Sequence, residues 1–213
     1  NHPKLAFTAL GPVLLCATNA VADGYNTRGL AALEGASARY TGGFEGEQPK
    51  AQSDRLPAPM ELVLKRGARV IFTQNDPEGR WVNGSLGTVQ SLDDETIIVT
   101  LDSGDDVDVE RATWPQARWT WNAKENRMEV KEEFKYVQFP LAPAWALTIH
   151  KAQGMTLDSV EIDLGRGAFA PGQTYVALSR ARSMETLRLT RPLSPRDVQV
   201  DPAIAEGLIR IGA

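Results

Sequence analysis

The chain has 213 residues, 42% of them hydrophobic and 23% charged, which excludes wholesale disorder and fibrous structure. Its 23 Lys+Arg against 27 Asp+Glu give a formal net charge of −4, so bulk positive charge cannot be what holds a polyanion, although a local groove stays open. The one cysteine, Cys16, excludes an internal disulfide and makes a reducing, intracellular setting the default.

No run approaches ~18 consecutive apolar residues, so no transmembrane helix is expected. The start, Asn1-His2-Pro3-Lys4, has no signal-peptide pattern and no initiator Met, and reads as the beginning of an excised piece. Charge is uneven along the chain. Residues 1–60 hold five acids and five bases, residues 61–135 fifteen acids and ten bases, and residues 136–213 seven acids and eight bases. The acidic middle reads as a separate module, and the last segment is the better place to seek an anion partner.

Residues 12–17 are a short apolar run and predict a buried strand. Thr18 and Asn19 suit a helix N-cap, and Val21, Tyr25 and Leu30 recur at roughly helical spacing, so strand, turn and helix are predicted over about 12–33. Residues 42–60, rich in Gly, Pro and polar side chains, read as a loop or linker. From 61 to 112, Val63, Val70–Phe72, Gly87–Val89, Thr96–Leu101, Val107 and Val109 alternate with turn signals at residues 75–79, 83–84 and 102–105. That pattern predicts a small antiparallel barrel. Residues 113–139, with Trp114, Trp119, Trp121, Phe134 and Tyr136, are expected to complete this module and lead out of it.

From residue 140 the pattern changes again. Residues 143–149 look helical, with Pro143 in the first turn and Gly154 as the stop. Residues 160–164 read as a strand, 172–182 as a helix and 187–189 as a strand, which is the alternation of a parallel α/β sheet. The domains expected are therefore 1–60 and 136–213 forming one α/β body, with 61–135 inserted between them.

Some chemistry is absent. No Gly-Lys pair occurs anywhere, so a self-sufficient P-loop nucleotidase is excluded. Asp93-Asp94-Glu95 follows only one apolar residue and reads as an exposed turn rather than a metal-binding acid pair. One Cys and two His cannot build a Cys/His zinc cluster, and no metal ligands are assigned.

Two segments near the C-terminus carry what chemistry there is. Residues 146–158 set an apolar stretch against Thr148, His150, Lys151, Gln153, Gly154 and Thr156. Such hydroxyl, imidazole, ammonium and amide groups suit the phosphate oxygens of a nucleic-acid backbone, and a Gly lets backbone N–H groups approach a nucleotide phosphate. A capped helix end with solvated polar groups explains the same spacing. In residues 173–183, Arg180 follows an apolar helix face. A guanidinium there suits a transferred γ-phosphoryl group, or simply the helix dipole.

Together these segments resemble a known family. Residues 150–158 are similar to motif V, and residues 175–182 to motif VI, of superfamily 1 DNA helicases translocating 5′→3′, above all the petite-integration-frequency and RecD-like helicases. Residues 15–19, with Asn26 beyond, resemble their motif IV region, and residues 64–71 with 82–89 resemble their SH3-like insert.

The resemblance implies an α/β fold: a RecA-like, P-loop-NTPase-type parallel sheet, the second motor domain without Walker A, carrying an inserted SH3-like small β-barrel. It implies that Arg180 is the arginine finger, that Gly154 and Thr156 lie beside ATP, and that Thr18, Asn19, Thr148, His150, Lys151 and Gln153 face single-stranded DNA. ATP and Mg²⁺ would be bound mainly by the N-terminal RecA-like domain of the same protein. Without that domain the chain is expected to be inactive; DNA repair and recombination are the processes implied, with no membrane partner. The acidic insert is either a brace or a clamp over DNA. A non-catalytic nucleic-acid-binding or protein-interaction module that kept the fold remains the alternative, as does an adaptor using Trp114, Trp119 and Trp121.

Overall fold

The structure is a computed structural model and describes residues 11–46, 56–122 and 125–201. In chain order the elements are β1 (Val13–Cys16), α1 (Asn19–Ala32), β2 (Ala38–Thr41), β3 (Gly43–Gly46), β4 (Glu61–Leu64), β5 (Arg69–Phe72), β6 (Leu86–Leu92) and β7 (Ile97–Leu101). There follow β8 (Asp106–Val109), β9 (Ala112–Asn122), β10 (Arg127–Gln138), β11 (Leu141–Pro143), β12 (Ala146–Thr148), β13 (Val160–Asp163), α2 (Gln173–Leu178) and β14 (Leu187–Leu189), then a short 3-10 turn at Pro195–Asp197. Two compact units result, one of residues 1–32 with 144–213, the other of residues 33–143. The composition shifts had put these junctions at 60/61 and 135/136.

The first unit is built on a four-stranded parallel sheet in the order β12-β1-β13-β14. β1 lies inside the sheet, and all four of its residues are buried, so its sequence is a continuous apolar run rather than an alternation. α1 buries Ala22 and Gly29, with Tyr25 packed on Leu14, Cys16, Ala22 and Ala146. Val21, which shares a helical spacing with Tyr25, is 40% exposed, and its neighbour Ala22 takes the buried position.

The helix expected over residues 143–149 is not formed. β11 ends at Pro143, and residues 146–148 are β12, paired in parallel with β1. Residues 144–149 are buried without exception, and a short, fully buried apolar run fits either element; the free edge of β1 decides for strand. The helix expected over 172–182 is only α2, because Ser179 Oγ and Arg180 Nε both donate to the Val176 carbonyl (3.0 and 2.9 Å) and close its end.

The second unit is antiparallel throughout the described residues. It contains a five-stranded sheet in the order β11-β5-β6-β7-β8, a three-stranded sheet β3-β10-β9 and a pair β2-β4. The turns predicted at residues 75–79, 83–84 and 102–105 all separate strands, and Asp93, Asp94 and Glu95 are exposed between β6 and β7. One expectation needs correction: the stretch read as linker from 42 onward contains β3, which pairs with β10. Within residues 113–139, β9 and β10 form a long hairpin with a register shift between Glu132 and Phe134.

Gln138, completely buried, has its polar atoms satisfied by main-chain groups. Its Nε2 donates to the carbonyls of Tyr40 (3.0 Å) and Pro59 (3.1 Å), and its Oε1 accepts from Phe139 N (2.9 Å). Trp114 leans on Tyr136 at 5.8 Å, Trp121 is 58% exposed, and the Trp119 side chain lies outside the described residues. No helix among the described residues is long and apolar enough to cross a membrane.

Candidate functional site

Two neighbouring parallel strands deliver most of the expected groups. β1 ends at Cys16 and β12 at Thr148, and those two residues are partners in register. Residues just beyond the carboxyl ends of adjacent parallel strands share one edge, where α/β sheets bind ligands. Thr18 and Asn19 follow β1 there, both exposed, with Asn19 opening α1. Residues 149–154 follow β12 in a tight corner.

The corner is closed by its own backbone. Ile149 N–H donates to Cys16 O (3.0 Å), Ala152 N–H to Thr148 O (3.0 Å), Gln153 N–H to His150 O (3.2 Å) and Met155 N–H to Ala152 O (3.1 Å). Ala152 is fully buried and anchors the corner, leaving His150, Lys151 and Gln153 exposed. Thr148 differs from expectation. It is 7% exposed, and its hydroxyl accepts the Lys151 N–H (3.3 Å), so its side chain shapes the corner from below instead of standing at the surface. Gly154 turns the chain out with φ +85°; a Cβ there would meet nothing within 4 Å, so glycine is needed for the torsion and not for room.

Arg180 comes to the same place from the other segment. Its Nη1 donates to the Met155 carbonyl (2.8 Å), its Nε to Val176 O and its Nη2 to Ser179 Oγ (2.9 Å). The main chains are also tied: Leu157 N–H donates to Arg180 O (2.8 Å) and Arg182 N–H to Leu157 O (2.9 Å). Met155 stands between Gly154 and Thr156, so these two residues and the half-buried Arg180 share one locality. Arg182 and Asp158 form an exposed ion pair at 3.0 Å, a contribution of ~0–1 kcal/mol at such a surface.

Several residues escaped the sequence reading. The Met155 carbonyl takes part through the main chain, which no side-chain pattern reveals. Asp197 is completely buried and accepts both arms of Arg191 (2.6 and 2.7 Å), plus Ser194 N–H (2.6 Å) and Ser194 Oγ (2.9 Å). The Arg191 guanidinium beside it, then the Ser194 amide, hold its carboxyl far below the usual carboxylate range. Its own carbonyl accepts the Thr174 hydroxyl, which fixes the first turn of α2. Ser194-x-x-Asp197 is a capping-box spacing, and that signal was readable.

Comparison with known proteins gives this arrangement a context. No protein-family model matches the chain. The ATP-dependent DNA helicase Pif1 of Bdellovibrio bacteriovorus is 38% identical over 185 residues, covering 86% of this chain and 40% of that protein. The human ATP-dependent DNA helicase PIF1 is 37% identical over 164 residues, covering 70% of this chain and 22% of that protein. Unliganded Pif1 from Bacteroides superposes with a TM-score of 0.83 at 31% identity, over 96% of this chain and 46% of that one. Bacteroides Pif1 bound to single-stranded DNA gives 0.76, over 98% of this chain and 47% of that one. Over most of its length, then, the chain is homologous to helicases. The family is Pif1, and the α/β fold described above is the one its solved members share. The chain spans 40% of the length of the Bdellovibrio relative and under half of the Bacteroides structure.

Proposed function

We propose that this chain is the C-terminal motor half of an ATP-dependent DNA helicase. The unit holding the parallel sheet is a second RecA-like domain, and residues 33–143 are an SH3-like insertion in it. The observation that carries the reading is the shared locality of Arg180 with residues 154–156. It lies at one end of a turn whose other end exposes His150, Lys151 and Gln153.

Arg180 acts as the arginine finger. ATP is held mainly by an N-terminal RecA-like domain of the same protein, with Gly154 and Thr156 beside it. An anionic phosphoryl oxygen is a stronger acceptor than the Met155 and Val176 carbonyls, so nucleotide in a closed cleft draws the guanidinium across. There it neutralises charge developing on the transferred group, an effect worth ~10³–10⁵ in rate in related systems. Among the described residues no group of three or more His, Cys, Asp or Glu side chains is placed to hold a metal ion. Mg²⁺ therefore has no fit on these residues.

Thr18, Asn19, His150, Lys151 and Gln153 face the backbone of single-stranded DNA, while Thr148 holds the corner that presents the last three. Because one hydrogen-bonded turn joins the DNA-facing and nucleotide-facing groups, a shift at either ligand is felt at the other.

In the full-length protein, Arg180→Ala is expected to cut DNA-stimulated ATP hydrolysis by ~10³ or more while DNA affinity changes little. The 213-residue chain alone is expected to hydrolyse no ATP. Full activity in Arg180→Ala would overturn the arginine-finger role, and absence of DNA-stimulated ATP hydrolysis from the unaltered full-length protein would favour a non-catalytic binding module.

A further inference from the structure

α1 begins beside Thr18 and presents Ala22, Tyr25, Asn26 and Gly29, one helical stripe, to β1 and β12. Ala22 and Tyr25 join the apolar cluster with Leu14, Cys16 and Ala146. Gly29 lies on Trp145 so closely that a Cβ there would stand 2.5 Å from the indole. Between these contacts, Asn26 makes two bonds to one residue. Its Nδ2 donates to Ala146 O (3.0 Å), and its Oδ1 accepts Ala146 N–H (2.9 Å).

Among the described residues β12 is the outermost strand on its side of the parallel sheet. Trp145 O and Ile149 N–H bond to β1, so the polar groups of Ala146, out of phase with them, face away from β1. Asn26 supplies what a further strand would have supplied, a donor and an acceptor together. Among side chains only Asn and Gln carry an amide N–H and an amide C=O side by side, the pair that a peptide edge needs.

We propose that Asn26 is a positioning residue for the 148–154 corner. Its amide fixes β12 against α1, and so fixes the corner that follows Thr148 relative to Thr18 and Asn19 at the start of the same helix. The consequence for DNA rests on the reading of those groups as DNA-facing; the positioning itself does not.

The experiment uses the full-length protein with Asn26→Asp, which keeps an acceptor but loses the donor, and Asn26→Leu, which loses both. Hydrogen exchange read by mass spectrometry is expected to speed up at least tenfold for amides 146–152 in both variants, with 160–163 unchanged. Unchanged exchange at 146–152 in folded Asn26→Asp overturns the proposal. If Asn26→Leu does not fold, Asn26→Asp decides alone. The second readout is ATP hydrolysis titrated with oligothymidylate. The concentration for half-maximal stimulation is expected to rise about tenfold, with the maximal rate nearly kept. Adding Asn26→Asp to Lys151→Ala should then cost little more than Lys151→Ala alone, because both act through one corner. Fully additive losses would mark Asn26 as a general stabiliser and overturn the positioning role. Faster exchange at 146–152 with a Lys151→Ala variant that titrates like wild type would support the positioning and overturn the DNA-facing reading instead.

Discussion

Arg180 reaches back along the surface of its own unit and donates from Nη1 to the Met155 carbonyl at 2.8 Å, between the two residues that the motif resemblance puts beside nucleotide. Each of its three side-chain nitrogens has a separate acceptor. Only a planar fork satisfies three such directions at once.

Arg180→Lys should therefore fail almost as badly as truncation. A lysine has one nitrogen and cannot hold Val176 O, Ser179 Oγ and Met155 O together. The expected loss in DNA-saturated ATP hydrolysis by the full-length protein is ~10²–10³. Near-normal turnover in the lysine variant would show that charge alone is enough there.

Gly154 tests the torsion of the corner. Since a Cβ at that position meets no atom within 4 Å, any cost of substitution is conformational. Gly154→Ala is expected to lose about 1–2 kcal/mol, and Gly154→Asn less, because Asn tolerates φ near +60° better. Urea denaturation of the three proteins should rank them Gly, Asn, Ala. Equal stability of Gly and Ala would mean that the corner relaxes out of the left-handed region.

Asp197 gives an acid-limb prediction. Its folded pKa lies far below its unfolded value of ~3.9, so the stability it contributes is complete above about pH 4 and drains away as pH falls toward the folded value. Asp197→Asn should lower the melting temperature at pH 7, and the gap to wild type should narrow as the pH drops below about 4. A gap that stays constant down to pH 2 would contradict the Arg191 pairing as its source.

Cys16 makes the opposite, alkaline prediction. Burial, then the nearby Asp163, pushes its thiol up to about 11. A raised folded pKa contributes stability that is complete below the ordinary thiol value of ~8.5 and is lost as pH rises through the folded value. Native protein should resist iodoacetamide at pH 8 and react fully once unfolded in urea. Rapid labelling of the folded protein would mean that β1 opens to solvent.

How much of this was readable beforehand depended on whether the signal was local. The insert was legible because β-branched runs such as residues 96–101 and turns such as 102–105 declare themselves within a few residues. β13 and β14 were legible for the same reason. Residues 143–149 were not, because their conformation is decided by the free edge of β1, some 130 positions away in the chain. β3 was hidden in a Gly-rich stretch whose strand character exists only through pairing with β10. In the site, His150, Lys151, Gln153 and Arg180 were named from residue type and spacing. The burial of Thr148 and the role of the Met155 carbonyl depend on backbone bonds that composition does not encode.

The discontinuity of the first unit bears on how the protein is made. The Cys16 thiol donates to the Leu147 carbonyl across a sequence separation of 131 residues, and the strand partners of β1 among the described residues, β12 and β13, are synthesised only later. Residues 33–143 hold all their own strand partners and can collapse while the ribosome is still translating. β1 must wait, apolar and without these two partners, through that whole interval. That exposed interval, rather than the final stability of either body, is where chaperone dependence and aggregation during expression are expected to arise.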